Sequence, residues 1–160
     1  MVERPEALAR IKAAVDAREE GADILVMART DARATLGLDE ALWHARAFAD
    51  LGADLGFVEA PRDEAEMEKV CKAVPLPQMA NMVEQGETPI LPPARLEALG
   101  YRLAAYPLTV LSAAIKAMEQ ALAEMAAGRH PEALVKDFAA LREVVGFEDY
   151  YAAEERYKDA

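Results

Sequence analysis

Cysteine is nearly absent: Cys71 is the only one, so no internal disulfide can form and a reducing, cytoplasmic setting is expected. Histidine is scarce too. His44 and His130 are the only two, and no pair of His and carboxylate at ligand spacing stands out as a metal site. Positive charge is in deficit, with 18 Lys and Arg against 29 Asp and Glu and a formal net charge of −11. A nucleic-acid footprint calls for a clustered basic face, so no nucleic-acid partner is expected. An anionic small molecule remains open, because one positioned arginine outweighs a diffuse negative surface. Long apolar runs are missing as well. Residues 103–115 are interrupted by Pro107, Thr109 and Ser112 and are too short to span a bilayer. The opening Met-Val-Glu-Arg-Pro has no apolar signal core, so no membrane partner is expected. A Gly-rich phosphate loop of the P-loop or dinucleotide type is also lacking.

What is present is an alternation. The 160 residues are 53% apolar, enough for one domain with a real core. Residues 5–20 read as an amphipathic helix with Leu8, Ile11, Ala14 and Val15 on one stripe, stopped by Gly21. The apolar run 24–28 suits a strand covered on both faces. Asp39 can cap a helix that carries Leu42, Ala45 and Ala49 to Gly52. Further strands are expected at 55–58, 77–80 and 102–105. Further helices are expected at 63–73, from Pro92–Pro93 to Gly100, and at 109–127, 131–145 and 148–157. Strand starts about 22 to 31 residues apart, with helices between, imply parallel strands joined by crossovers. Four such units make either a small doubly wound sheet or half of a (βα)8 TIM barrel, which needs about 250 residues. The periodicity does not separate these two.

In either fold, chemistry gathers where parallel strands end. Strand one runs into Arg29-Thr30-Asp31-Ala32 and strand two into Glu59-Ala60-Pro61. Strand three ends in Asn81-Met82-Val83-Glu84, and strand four in Tyr106-Pro107-Leu108-Thr109. A cation, a carboxylate and an amide should therefore meet on one rim. The arginine suits bidentate capture of a carboxylate, the glutamate acid/base work, and the amide a substrate oxygen. The plain alternative is an Arg29–Glu59 ion pair that only closes the strand ends.

Taken together, Ala-Arg-Thr-Asp-Ala at 28–32, Val-Glu-Ala-Pro at 58–61, Asn-Met-Val-Glu at 81–84 and Tyr-Pro-Leu at 106–108 resemble barrel strands five to eight of the isocitrate lyase/phosphoenolpyruvate mutase superfamily. The helix carrying residues 9–18 resembles the one before strand five. The resemblance implies the C-terminal half of a (βα)8 barrel, about four parallel strands followed by extra helices. Residues 1–108 would form the half-barrel units and 109–160 the C-terminal helices of the same domain.

It further implies Mg²⁺ and a small 2-hydroxy or 2-keto acid substrate. Arg29 and Glu59 would be the catalytic pair, with Arg29, Asn81 and Thr109 binding substrate. The implied reaction is carbon–carbon cleavage of a 2-methylisocitrate-like or substituted-malate substrate with release of pyruvate. A carboxyphosphonoenolpyruvate phosphonomutase, an oxaloacetate decarboxylase and a non-catalytic oligomerisation module are the alternatives. The metal-binding aspartates and the catalytic loop of such enzymes belong to their N-terminal half. No metal ligand is therefore assigned here, and pairing with that half or homo-oligomerisation is expected, with the helix after strand eight exchanged between subunits. Cys71, in mid-helix, reads as a packing residue, and Asp31 and Asp54 as turn or cap residues.

Overall fold

The computed structural model describes residues 2–158. It falls into two compact units, Met1–Leu111 and Ser112–Ala160. Proline opens the first helix, α1 (Arg4–Glu19), where a missing N–H is harmless. The first strand is β1 (Met27–Thr30), three residues later than the apolar run suggested. Ile24 and Leu25 are exposed, and the ladder begins only where Met27 meets Leu55. A four-residue helix, α2 (Ala32–Thr35), was not anticipated. It is tied down by the Arg33–Glu66 ion pair, bidentate at 2.6 and 2.7 Å. Then follow α3 (Leu38–Asp50), β2 (Leu55–Val58), α4 (Glu64–Ala73), β3 (Gln78–Asn81), α5 (Pro93–Leu99) and β4 (Tyr101–Ala105). Asp63 caps α4 by accepting from the Glu66 N–H. Gly100, at φ +108°, supplies the left-handed residue that ends α5.

The four strands are parallel and stand in chain order, β1-β2-β3-β4. A doubly wound sheet reverses its strand order at a switch point; this one does not, so it is the segment of a barrel. Among the described residues, β1 and β4 each have a strand partner on one side only.

Period-two alternation divides the first unit's sheet into two faces. Ala28, Val58, Ala80 and Tyr101 point to the helices. There Ala28 meets Ala7 and Phe48, while Val58 meets Leu42, Ala45 and Val70. Ala80 and Tyr101 pack with Met67, Met82, Leu96 and Leu99. The opposite face therefore receives Arg29, Phe57 and Asn81.

Gly56 is required by a close approach rather than by its dihedrals. A Cβ there would lie 2.3 to 2.8 Å from the Gln78 amide group. Gln78 is buried, donates to the Leu76 carbonyl at 3.1 Å and, among the described residues, leaves Oε1 without a partner. Gly56→Ala is expected to destabilise the chain by about 1–3 kcal/mol through overpacking. In Gly56→Ala/Gln78→Ala the steric part should disappear, giving a favourable coupling in a urea-melt double-mutant cycle. Additive losses would mean that Gln78 moves aside freely.

In the second unit, α6 (Thr109–Ala126) begins at the end of the first unit and has no buried residue. Its Leu111, Ile115, Met118, Leu122 and Met125 are all exposed. The single helix expected over 131–145 is broken into a 3-10 turn (Glu132–Leu134) and α7 (Phe138–Val144). Val135 is extended, and Asp137 caps α7 through the Ala140 N–H. A last helix, α8 (Phe147–Arg156), follows. Among the described residues, no helix is long and apolar enough to cross a membrane.

Candidate functional site

The tips of β1, β2 and β3 bring three of the expected residues together. Arg29 Nη2 lies 3.2 Å from Glu59 Oε2, and Asn81 Nδ2 donates to both Glu59 oxygens at 3.3 and 3.4 Å. The register explains the arrangement. Arg29 pairs with Phe57 across the β1–β2 ladder, and its guanidinium lies 4.8 Å over that ring. Glu59 follows two residues later on the same face, and its N–H donates to the Thr30 carbonyl at 3.0 Å.

Asp31 stands at the N-cap position of α2, as a turn or cap reading has it, but its carboxylate is used elsewhere. It starts α2 without a side-chain cap bond and instead chelates Arg29, with Nε to Oδ2 at 3.0 Å and Nη2 to Oδ1 at 2.7 Å. That hydrogen bond holds the Asp31 carboxyl below its ordinary range and raises the Arg29 guanidinium above its own, so both stay charged. Half of the Arg29 side chain remains exposed, and two edges of the guanidinium are already engaged by carboxylates. An incoming carboxylate would meet an oriented cation on an aromatic floor. Phe57 was missed as a site residue because only the strand register shows that it lies beneath Arg29.

Thr109 behaves differently. Its hydroxyl donates to Glu84 and holds that carboxyl below its usual range, so the structure places it with Glu84 rather than in the Arg29–Glu59–Asn81 cluster. Asp54 serves the fold: it accepts from the Val26 N–H at 2.8 Å and from Arg18.

These residues do not by themselves fit a divalent cation. Mg²⁺ seeks near-octahedral oxygen ligands. Here Asp31 is committed to Arg29, and Glu59 shares its oxygens with Asn81 and the same guanidinium. Among the described residues, no group of three or more His, Cys, Asp and Glu side chains could hold a metal ion.

Cys71 packs against the first unit's core cluster around Met67 and Tyr101. Burial pushes its thiol from 9.0 up to about 11. At pH 8 this leaves about 100-fold less thiolate than an unfolded chain would have, and iodoacetamide labelling should slow to match. The linkage has a definite sign: the stabilisation is complete below pH 9 and is lost as pH rises through about 11. Labelling at the unfolded rate would refute this.

A cavity of about 260 Å³ opens beside the site, lined by Arg10, Arg29, Thr30, Asp31, His44 and Phe48 among others. A larger cavity, about 720 Å³, lies in the second unit, where Gln120, Glu124, His130 and Glu132 line it; none of the candidate site residues reaches it.

With this geometry in place, comparison with known proteins is informative. The family described as Phosphoenolpyruvate phosphomutase matches residues 1–126. The 2,3-dimethylmalate lyase of Eubacterium barkeri is 48% identical over 118 residues, covering 74% of this chain and 40% of that protein. The probable 2-methylisocitrate lyase 2 of Corynebacterium glutamicum is 44% identical over 117 residues, covering 73% and 38%. A crystal structure of 2,3-dimethylmalate lyase superposes with a TM-score of 0.90 at 32% identity, covering 99% of this chain and 54% of that one. The chain thus spans about half, or less, of the length of these relatives. It is a member of the phosphoenolpyruvate mutase/isocitrate lyase superfamily, with four parallel strands and flanking helices that correspond to part of that superfamily's barrel.

Proposed function

We propose that this chain supplies the carboxylate-gripping side of the active site of a carbon–carbon lyase that acts on a 2-methylisocitrate-like or substituted-malate substrate and releases pyruvate. The observation that carries the reading is the Arg29–Glu59–Asn81 cluster, assembled at the tips of three adjacent parallel strands over Phe57. The lyases among its relatives support the same substrate class.

In such a reaction the bond between the hydroxyl-bearing carbon and its neighbour breaks. The hydroxyl loses its proton and becomes the ketone of pyruvate. The bonding electron pair stays on the departing fragment, next to a carboxylate, and is then protonated. Arg29 faces the place where negative charge gathers and holds a carboxylate or developing oxyanion there. Glu59, oriented by Asn81, accepts or relays the hydroxyl proton. Asp31 keeps the guanidinium aimed, so that little reorganisation is needed as charge develops. Remaining groups, including ligands for any divalent metal, come from outside this chain, either from an N-terminal half of the barrel or from a second copy.

The test is pyruvate release from a panel of branched 2-hydroxy di- and tricarboxylates, by the chain alone and after completion of the barrel with the N-terminal half of a lyase relative. Activity restricted to the completed barrel supports the reading. Turnover of phosphonates alone would replace it with a phosphonomutase, the second reading favoured by the family match itself.

A further inference from the structure

His44 is buried inside α3, 2% exposed, and has no part in the reaction proposed for the rim. It is not simply packed among Trp43 and Phe48, whose ring centroids lie 5.3 and 5.6 Å away. Each ring nitrogen has one partner. Nε2 lies 3.3 Å from Glu40 Oε1, and Nδ1 lies 3.3 Å from the Thr30 hydroxyl. Glu40 is clamped by Arg4, at 2.8 and 2.5 Å, and Arg4 lies 3.9 Å over the Trp43 ring. The Glu40 carboxyl is held below its usual range by that arginine, so it only accepts hydrogen bonds, and His44 Nε2 faces it as the donor.

In the Nε2–H tautomer Nδ1 is a lone pair, and the Thr30 hydroxyl donates to it. Thr30 Oγ1 in turn accepts from the Ala32 N–H at 3.3 Å. In that tautomer the contacts form a directed chain: Ala32 N–H to Thr30, Thr30 O–H to His44, His44 N–H to Glu40.

Thr30 is the residue on which the rim turns. Its neighbours are Arg29 and Asp31, and its carbonyl accepts from the Glu59 N–H. Fixing the Thr30 hydroxyl therefore fixes the strand end that presents Arg29, Asp31 and Glu59 together. We propose that His44 is a positioning residue, held as the Nε2–H tautomer by Glu40 and Arg4, whose Nδ1 lone pair locks the Thr30–Ala32 turn and thereby the Asp31 clamp on Arg29. The inference rests on the proposed function only for the use it assigns to Arg29; the lock itself is observable without any substrate.

The experiment is nuclear magnetic resonance on the 160-residue chain. In the wild type, the ¹⁵N shifts of His44 should show Nε2 protonated and Nδ1 bare, and the Arg29 Nε–H should give a slowly exchanging signal. Asparagine places an acceptor near the Nδ1 position; glutamine reaches toward Glu40 instead. His44→Asn should keep the Ala32 amide protected and the Arg29 Nε–H visible. His44→Gln should speed Ala32 exchange by about tenfold, the scale of one lost hydrogen bond, and broaden the Arg29 signal. A wild-type proton on Nδ1 would overturn the proposal even if neither variant folds. So would indistinguishable behaviour of Asn and Gln, since a merely structural histidine predicts equal loss. Failure of the lyase assay leaves these readouts untouched, so the two readings fail separately.

Discussion

Arg29→Ala is expected to lower kcat/KM for pyruvate release by about 10²- to 10³-fold in a barrel completed with an N-terminal half, the range found when one preorganised oxyanion donor is removed. Most of that loss should fall on kcat. The guanidinium is fixed by Asp31 and backed by Phe57 before substrate arrives, and its contact strengthens as charge develops. Truncation also leaves Asp31 and Glu59 facing one another without the cation between them. Lysine should recover only part of the activity, because an ammonium cannot chelate Asp31 and face a substrate oxygen at the same time. Cys71→Ala, by contrast, should stay within about threefold, since its thiol is protonated and packed against the core. Equal losses in the two variants would mean that the rim cluster is a structural ion pair and the site lies elsewhere.

Met67→Ala should be the most damaging of the core truncations, with a loss of about 2–5 kcal/mol. The side chain is wholly buried under α4, against Ala80, Met82, Leu96, Leu99 and Tyr101, and so holds two strands and two helices at once. A domain with a margin of about 5–15 kcal/mol can lose most of its stability in this way. The fitting control is Met118→Ala on α6, 56% exposed, which should change the unfolding free energy from a urea melt by no more than about 0.5 kcal/mol. Met67→Ala within about 1 kcal/mol of the parent would show that the neighbouring Met82 fills the space.

Much of this arrangement is legible in the sequence because its punctuation is local. Pro5, Pro93 and Gly100 mark helix ends through their own backbone preferences, and Asp63 is a cap that needs only the next three residues. The rim cluster was readable for the same reason: strand ends in a parallel fold face one side, whatever their partners. What was not legible depends on partners far along the chain. The run at 24–28 has a strand's composition, yet pairing with Leu55 starts at Met27, and no local signal carries that register. Asp31 does stand at a helix start, but only the fold shows that its carboxylate goes to Arg29, over Phe57, instead of to a backbone N–H. The break within 131–145 turns on Asp137, whose side chain competes with a continuing helix by capping a new one. The sequence set His44 aside only as a metal ligand; its contact with Thr30, 14 residues away across a turn and a helix, carries no local signal.

The one-sided pairing of β1 and β4 bears on what a neighbouring strand would meet. A free strand edge offers backbone N–H and C=O groups, which carry no residue code, so the join accepts any parallel neighbour of suitable twist. Of the residues proposed to grip substrate, Arg29 sits on the edge strand β1 itself, while Glu59 and Asn81 stand at the tips of the inner strands β2 and β3. A strand added beside β1 would therefore also set what stands next to Arg29, so closing the sheet and completing the rim are one event at that edge.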